Sequence, residues 1–258
     1  MGMPETAALL RKARASAEAG SPAVVVTLVR GSGLGQKVLV TSDAVEGSLG
    51  DASLNEAALA MGRNALDGGA SGLQPLSGDV DVFIDVFSVR PLLLLIGAVH
   101  VAQALVQLAE PLGFRIVVAD ARESLATRER FPTVDELVVA WPDEAYEKLE
   151  ITPSTAIVIL THDPKFDEPA ILGALKTGAG YIGAVGSRKT NADRRVRLRE
   201  AGATDEEIDR VHGPIGLNIG GRSPEEMAIS ILAEIIAVRN GRSGGSLRTT
   251  AGNIRAEG

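Results

Sequence analysis

A glycine-containing segment at residues 97–102, Gly-Ala-Val-His-Val-Ala, has the spacing of a phosphate-binding turn. In the nucleotide-binding pattern G-x-G-x-x-G, the first glycine permits a tight turn and the second lets a pyrophosphate approach the backbone. Gly97 matches the first position, but Val99 stands at the second. We therefore expect Gly97 to form the turn and the amides of residues 98–101 to bind a phosphate of a ligand other than a standard dinucleotide.

Two of the three histidines, His100 and His162, follow apolar segments closely, and Asp163 comes after the second of them. In an open parallel sheet the carboxyl ends of the strands line the ligand crevice, so these side chains could meet there. Solvated loop histidines are the alternative, and the sequence leaves both open. A zinc site is disfavoured because no histidine pair has the spacing H-x-x-x-H and the chain has no cysteine.

Residue types that suit an anion also occur at 186–190, Gly-Ser-Arg-Lys-Thr, before a predicted helix. A hydroxyl and two cations at a helix N-terminus favour phosphate, so Ser187 and Arg188, after Gly186, are predicted to contact a ligand or an interface. The arginines that follow are instead predicted to form a solvated helix face. They are Arg194, Arg195, Arg197 and Arg199.

Asp120 ends the second strand of a predicted β-α-β unit that begins at residue 92. An acidic side chain there can accept hydrogen bonds from a ribose-like diol. It can also cap a helix or close a turn. The sequence leaves both roles open.

The elements that would position these residues alternate regularly after Arg90. Apolar strands are predicted at 92–96, 115–120, 136–140, 156–160 and 181–185, and helices at 100–112, 167–177 and 223–239. Strands that alternate with helices are typical of a parallel sheet covered on both faces. A capping box of Ser223 and Glu226, with Pro224 at the first helical position, predicts the start of the last helix.

The first half has a mixed order, with predicted helices at 5–18 and 51–66 and strands at 23–30, 36–41 and 79–88. We therefore predict an α/β protein in which a smaller α+β domain, residues 1–89, precedes a Rossmann-like domain with a parallel sheet, residues 90–240. Residues 241–258 contain five glycines and no apolar periodicity, and are predicted to be a mobile tail.

Composition narrows the function further. With 258 residues, 45% of them hydrophobic and 23% charged, the chain has the composition of a soluble globular protein. Its net charge of −7 argues against nucleic acid or an anionic membrane as a partner. No apolar run has the length of a membrane span, no signal peptide is recognised, and the absence of cysteine excludes disulfides and thiolate sites. A cytoplasmic protein is expected.

The second half closely resembles the xanthine dehydrogenase accessory proteins, the XdhC/CoxI family. The matching stretches are IGAVHVAQALVQLAEPLGFRIVVADAR (96–122), TRERFP (127–132), TAIVILTHDPKFDEPAI (155–171), YIGAVGSRKT (181–190) and VHGPIGLNIGGRSPEEMAISILAEIIAVR (211–239). The resemblance implies a Rossmann-like C-terminal domain behind a smaller N-terminal domain. It also implies binding of the molybdenum cofactor, protection of that cofactor while its terminal sulfur is installed, and delivery to an apo molybdenum hydroxylase.

The first half departs from that family in two places. Residues 31–36 lack the arginines of the family's glycine-serine-serine-proline-arginine-arginine segment, which precedes a lysine such as Lys37. Within residues 47–55, Ser53 stands where family members often have a cysteine, and Asn55 where they have an acid. A serine hydroxyl is a poor soft ligand, so this chain cannot contact the cofactor or its sulfur as that cysteine would.

Three functions remain. The resemblance favours a homodimeric maturation factor that binds molybdenum cofactor without catalysing a bond change, with an apo hydroxylase such as xanthine or carbon monoxide dehydrogenase and a cysteine desulfurase as partners. A NAD(P)-dependent oxidoreductase and a divergent binding module are the alternatives. The candidate cofactor-binding residues are Gly97, Ala98, Val99, His100, Asp120, His162, Asp163, Gly186, Ser187 and Arg188. No catalytic residue and no metal ligand is predicted.

Overall fold

The structure, a computed structural model, describes residues 3–66, 69–161 and 163–249. The described residues divide into two compact units, the first ending at Arg90 and the second beginning at Pro91. Within those residues, no helix combines the length and the apolar character needed to cross a bilayer.

The first unit is a five-stranded antiparallel sheet with the strand order β3-β2-β1-β5-β4. Its elements are α1 (Met3–Glu18), β1 (Ala23–Arg30), β2 (Lys37–Thr41), β3 (Val45–Ser48), α2 (Ala52–Leu66), β4 (Gly72–Ser77) and β5 (Val80–Phe87). Alternate residues of β1 face opposite sides. Val24 and Val26 share a core with Ala58 of α2, whereas Val25 packs with Ala13 of α1, so one helix covers each face.

The second unit is built on a six-stranded sheet in the order β8-β7-β6-β9-β10-β11, with every neighbouring pair parallel. Its strands are β6 (Leu92–Ile96), β7 (Arg115–Ala119), β8 (Glu136–Val138), β9 (Ala156–Ile159), β10 (Tyr181–Ala184) and β11 (Val211–His212). The predicted parallel sheet is confirmed. The order is that of the doubly wound Rossmann fold, which changes direction between β6 and β9, where ligands bind in this fold.

Helices cover both faces of this sheet. They are α3 (His100–Ala109), α4 (Pro142–Lys148), α5 (Pro164–Leu175), α6 (Arg188–Glu200), α7 (Asp205–Asp209) and α8 (Pro224–Arg239), and a 3₁₀ turn at 110–112 follows α3. Leu93 and Leu95 of β6 share a core with α3 and α8, while Leu92, Leu94 and Ile96 share the other core with α4 to α7. Burial on both faces explains why β6 is a continuous apolar run.

Several elements differ from the prediction. The sequence did not predict β3, β4, β11, α4 or α7, which are short or exposed, and β8 ends at Val138 rather than at residue 140. Helix α5 begins three residues earlier than predicted, because Asp163 caps it by accepting a hydrogen bond from the Lys165 amide over 3.0 Å. In the predicted mobile tail, residues 241–249 form neither helix nor strand, and residues 250–258 lie outside the described part of the chain.

Candidate functional site

The turn after β6 requires glycine at position 97. Gly97 has φ of +110°, a region that side-chain-bearing residues rarely adopt. A Cβ there would lie 3.1 Å from Thr161 Cγ2 and 3.4 Å from the Thr161 amide nitrogen, just beyond β9. The Gly97 amide donates to Ala119 O over 2.8 Å. The turn therefore lies between β7 and the residues that follow β9, at the point where the sheet changes direction.

Asp120 organises this turn from the end of β7. Its Oδ2 accepts from the Ala98 amide over 2.8 Å and from Arg122 Nη2 over 2.7 Å, and its Oδ1 accepts from Arg122 N and Nε, both over 2.9 Å. Burial alone would raise the pKa of Asp120, but the hydrogen bonds from Arg122 and Ala98 outweigh it and hold the pKa below its ordinary value. With four hydrogen bonds already accepted, Asp120 closes the turn, and the predicted ribose contact stays a prediction.

The start of α3 has no side-chain cap. Val99 occupies the N-cap position and offers no acceptor, and its own amide is turned towards Gly97 O at 3.0 Å. The amides of His100, Val101 and Ala102 have no acceptor among the residues that the structure describes, as is usual for the first turn of an uncapped helix. Of the four amides predicted to bind a phosphate, the Ala98 amide is bound to Asp120 and the Val99 amide to Gly97 O, whereas the His100 and Val101 amides have no acceptor among the described residues.

Arg130 holds the same turn from the β7–β8 connection. Its Nη1 donates to Ala98 O over 2.8 Å and to Leu125 O over 3.0 Å, and Gln103 Nε2 of α3 donates to Arg130 O over 3.1 Å. The turn is therefore braced on both sides of Ala98, by Asp120 at its amide and by Arg130 at its carbonyl. Such bracing fixes the direction of the first amides of α3 before any ligand binds.

A small cleft of about 10 Å³, partly open to solvent, lies beside the turn. Its lining includes Gly97, Asp120, Ala121, Arg122, Ala140, Pro142, Thr161 and Phe166. Phe166, in the first turn of α5, stacks on Trp141 with ring centroids 4.9 Å apart and an interplanar angle of 10°. The lining thus combines an apolar and aromatic wall with the charge of Arg122.

A buried polar network fixes the neighbouring loops. Arg194 of α6 is 2% exposed and donates through Nη2 to Asp167 Oδ2, 4% exposed, over 2.8 Å, and to Val185 O over 2.9 Å. Thr161 donates its hydroxyl to the other Asp167 oxygen, and Arg194 Nη1 donates to Asn191. The prediction of a solvated face is therefore wrong for Arg194. This arginine ties the end of β10 to α5 and α6.

The remaining predicted residues lie on the β9 and β10 loops. Asp163 caps α5, and Ser187 caps α6, since its Oγ accepts from the Thr190 amide over 3.0 Å. Gly186 has φ of +141°, and Arg188 is exposed without an ion-pair partner among the described residues. None of these four lines the cleft beside Gly97. His162 lies outside the described residues.

Sequence reasoning missed five residues that shape the site: Arg122, Arg130, Trp141, Thr161 and Phe166. A signal existed for two of them, since Arg122 lies two residues after the strand-ending acid and Arg130 lies within the stretch TRERFP. The pairing of Trp141 with Phe166 joins α4 to α5 across 25 positions and has no local signature.

In the first unit, the two positions that depart from the family have local roles. Ser53 is exposed and donates its hydroxyl to Asp51 Oδ1 over 2.6 Å, and Asn55 Oδ1 accepts from the Leu49 amide over 2.7 Å. Asp51 also accepts from the Ser53 amide over 2.8 Å, which makes it the cap of α2. Both polar side chains therefore stabilise the entry to this helix.

Comparison with known proteins places the second unit in a family. The profile described as the XdhC Rossmann domain matches residues 93–235. The uncharacterised protein YqeB of Escherichia coli K12 is 36% identical over 208 residues, which cover 80% of this chain and 38% of that protein. A probable xanthine dehydrogenase subunit from Bacillus subtilis 168 is 33% identical over 159 residues, 62% of this chain and 46% of that protein.

A shorter match is the molybdenum cofactor insertion chaperone PaoD of E. coli K12, 33% identical over 90 residues, 35% of this chain and 28% of that protein. The chain spans less than half the length of these curated relatives. The crystal structure of a xanthine dehydrogenase from Bacillus halodurans has the same fold, with a TM-score of 0.70 over 93% of this chain and 66% of that one, at 24% identity. Because the family profile matches more than half of its length, the chain belongs to the XdhC family.

Proposed function

We propose that this chain binds the molybdenum cofactor by its phosphate, at the turn between β6 and α3, and serves the maturation of a molybdenum hydroxylase. The observation that carries the proposal is the uncapped start of α3. Three amides that have no acceptor among the described residues lie there together with the positive end of the helix dipole, after a turn in which Gly97 has φ of +110°.

The residues at this place suit a phosphorylated pterin. The amides from His100 to Ala102 would hold the phosphate, and Pro142 and Phe166, near Gly97, would offer an apolar and aromatic surface to the ring system. The names of two relatives, a molybdenum cofactor insertion chaperone and a probable xanthine dehydrogenase component, support the choice of ligand. The bound cofactor would be cargo, and its molybdenum centre would do its chemistry in the client enzyme.

We further propose that the protein protects the sulfurated cofactor and delivers it, in the cytoplasm and as a homodimer, to an apo hydroxylase such as xanthine or carbon monoxide dehydrogenase. A cysteine desulfurase would supply the sulfur. The exposed hydroxyl of Ser53 cannot carry sulfur as a thiol would, so the sulfur must stay on the cofactor in this chain. Binding, orientation and shielding are then the protein's tasks.

The alternative of a NAD(P)-dependent oxidoreductase is disfavoured by two contacts. A ribose diol would have to displace Arg122 or the Ala98 amide from Asp120, which already accepts four hydrogen bonds. The branched side chain of Val99 also stands where a second glycine would let a pyrophosphate approach.

Equilibrium binding tests the proposal. Purified protein is incubated with molybdenum cofactor freshly released from a molybdoenzyme, and in parallel with NADH, and the retained ligand is measured after gel filtration. Retention of the cofactor in molar proportion, with transfer of activity to an apo hydroxylase, is the expected result. Retention of NADH alone would favour the oxidoreductase, and retention of neither would favour a binding module without cofactor handling.

A further inference from the structure

A cavity of about 200 Å³, partly open to solvent, lies at the edge of the parallel sheet opposite to the β6–α3 turn. Among its lining residues, Phe114, Thr155 and Gly180 stand directly before β7, β9 and β10, and Arg239 ends α8. Because the strands are parallel, their starts lie at the edge away from that turn. An apolar cavity of about 150 Å³ holds a benzene molecule. This cavity therefore has room for one six-membered ring with a small substituent.

The inner wall of the cavity is apolar and fixed by the core. Phe114, Ala156 and Ile235 are buried and belong to the core that the sheet shares with α3 and α8. Tyr181 adds a second buried ring, and its hydroxyl donates to Glu234 Oε2 over 2.5 Å, so that hydrogen is not available to a ligand. A wall of this composition favours a ligand with an apolar body.

Arg239 places a positive charge at the rim of the cavity. Its guanidinium carbon lies 5.5 Å from the centre of the Phe114 ring. The side chain is exposed and has no ion-pair partner among the residues that the structure describes. A guanidinium that packs over a ring keeps its N–H groups available, and it binds a carboxylate through two parallel hydrogen bonds. No acidic side chain is among the described residues of the lining, so nothing there repels an anion.

A buried hydroxyl group on the same lining has an unused donor. Thr155 is 1% exposed, and its Oγ1 accepts a hydrogen bond from the Thr152 amide over 3.0 Å. The hydroxyl hydrogen has no acceptor among the described residues. Because buried polar groups are generally hydrogen-bonded, this donor favours a ligand that carries an oxygen atom.

The end of α8 does not present free carbonyl groups to an anion. Ile236 O accepts from Asn240 Nδ2 over 2.7 Å, and Ala237 O accepts from the Arg242 amide over 2.8 Å. Val238 O accepts from the Gly241 amide over 3.0 Å. The carbonyls that carry the negative end of the helix dipole are therefore hydrogen-bonded, and Arg239 adds a full positive charge beside them.

From these contacts we infer that the cavity binds a small carboxylic acid whose body is a single apolar ring. The ring lies against Phe114 and Ile235, the carboxylate pairs with Arg239 at the rim, and the Thr155 hydroxyl is a second donor for the ligand's oxygen atoms. The site lies at the opposite edge of the sheet from the β6–α3 turn, so the inference does not depend on the proposed function.

Titration calorimetry of the full-length protein tests the inference with three probes. Benzoate has both the ring and the carboxylate, benzyl alcohol lacks the charge, and acetate lacks the ring. Benzoate should bind saturably with one site per chain, and the other two should bind at least about fivefold more weakly. Absence of benzoate binding, or acetate or benzyl alcohol binding as tightly as benzoate, would overturn the inference.

Two matched substitutions locate the binding. Arg239→Met removes the charge at the rim and should weaken benzoate binding at least about fivefold, with no such loss for benzyl alcohol. Arg242→Met removes an exposed arginine that does not line the cavity, and it should bind benzoate like the wild type. Saturating benzoate should also raise the Tm of the wild type and of Arg242→Met more than that of Arg239→Met. Equal benzoate affinity of Arg239→Met and the wild type would refute the site.

Discussion

Replacement of Arg194 by methionine should destabilise the second unit severely. Arg194 and Asp167 are 2% and 4% exposed, and the pair lies at the core of the network that joins α5, α6 and the end of β10. Methionine has a similar length and no charge. It would leave the Asp167 carboxylate buried with Thr161 as its remaining hydrogen-bond donor in this network, and it would also leave Val185 O and Asn191 without their donor.

The expected cost follows from the unpaired buried charge. Removal of one partner of a buried ion pair costs about 3–5 kcal/mol. For a unit of this size, 1 kcal/mol lowers Tm by about 2–4 °C, so Tm should fall by roughly 6–20 °C. The adjacent Arg195 gives a matched control, because its pair with Asp209 is exposed at 40% and 68%, and such pairs contribute under about 1 kcal/mol.

The assay is urea unfolding followed by Trp141 fluorescence, which reports on the second unit because this is the only tryptophan. Arg194→Met should lower the free energy of unfolding by at least about 3 kcal/mol and Arg195→Met by less than about 1 kcal/mol. The double variant Arg194→Met, Asp167→Leu should recover most of the loss, because no buried charge remains unpaired. Similar losses for Arg194→Met and Arg195→Met would refute the assigned role of the network.

Three further predictions concern the turn and the opposite end of the sheet. Gly97→Ala forces a side chain into φ of +110° and should lower the free energy of unfolding by about 1–3 kcal/mol in urea titrations; an unchanged value would show that the turn tolerates other residues. Asp120→Asn should cost about 1.5–3 kcal/mol at pH 7. Because the pKa of Asp120 is lowered in the folded protein, its contribution to the free energy of unfolding is present above the ordinary pKa of 3.8 and is lost as the pH falls through the folded pKa. The Asn variant should therefore lose less stability on acidification than the wild type does. Burial and the hydrogen bond to Glu234 raise the pKa of Tyr181, so the contribution of its hydroxyl to the free energy of unfolding is complete below pH 10 and is lost as the pH rises above it. In Tyr181→Phe, the free energy of unfolding should therefore fall less above pH 10 than it does in the wild type. An equal fall in both proteins would contradict this assignment.

The sequence predicted well those elements whose burial is visible in the chain itself. Strands β1 and β6 were predicted with the bounds that the structure has, because strands buried on both faces are continuous apolar runs. The missed strands have no such signal. β3 is mostly exposed, β4 contains Pro75, and β11 has only two residues.

Part of the site was equally visible from the sequence. The spacing around Gly97 predicted a turn before a helix, and the structure has that turn at the point where the sheet changes direction. What could not be predicted were roles set by distant partners. Asp120 accepts hydrogen bonds from Arg122 and the Ala98 amide, and Arg194 is buried in an ion pair with Asp167, 27 residues away. In the sequence, Arg194 is one of several arginines on a helix, and only packing distinguishes it from Arg195.

The most direct test of the phosphate site is a charge placed at the start of α3. His100 is exposed at the first position of this helix, where glutamate suits the helix dipole and should leave the fold intact. Gln107→Glu adds the same charge at an exposed position further along α3 and is the control. Two unit charges about 4 Å apart repel by roughly 1 kcal/mol in water and more at lower dielectric. The affinity for molybdenum cofactor should therefore fall at least about fivefold in His100→Glu and stay unchanged in Gln107→Glu. Cofactor binding that is equally tight in His100→Glu, Gln107→Glu and the wild type would contradict a phosphate at the start of α3.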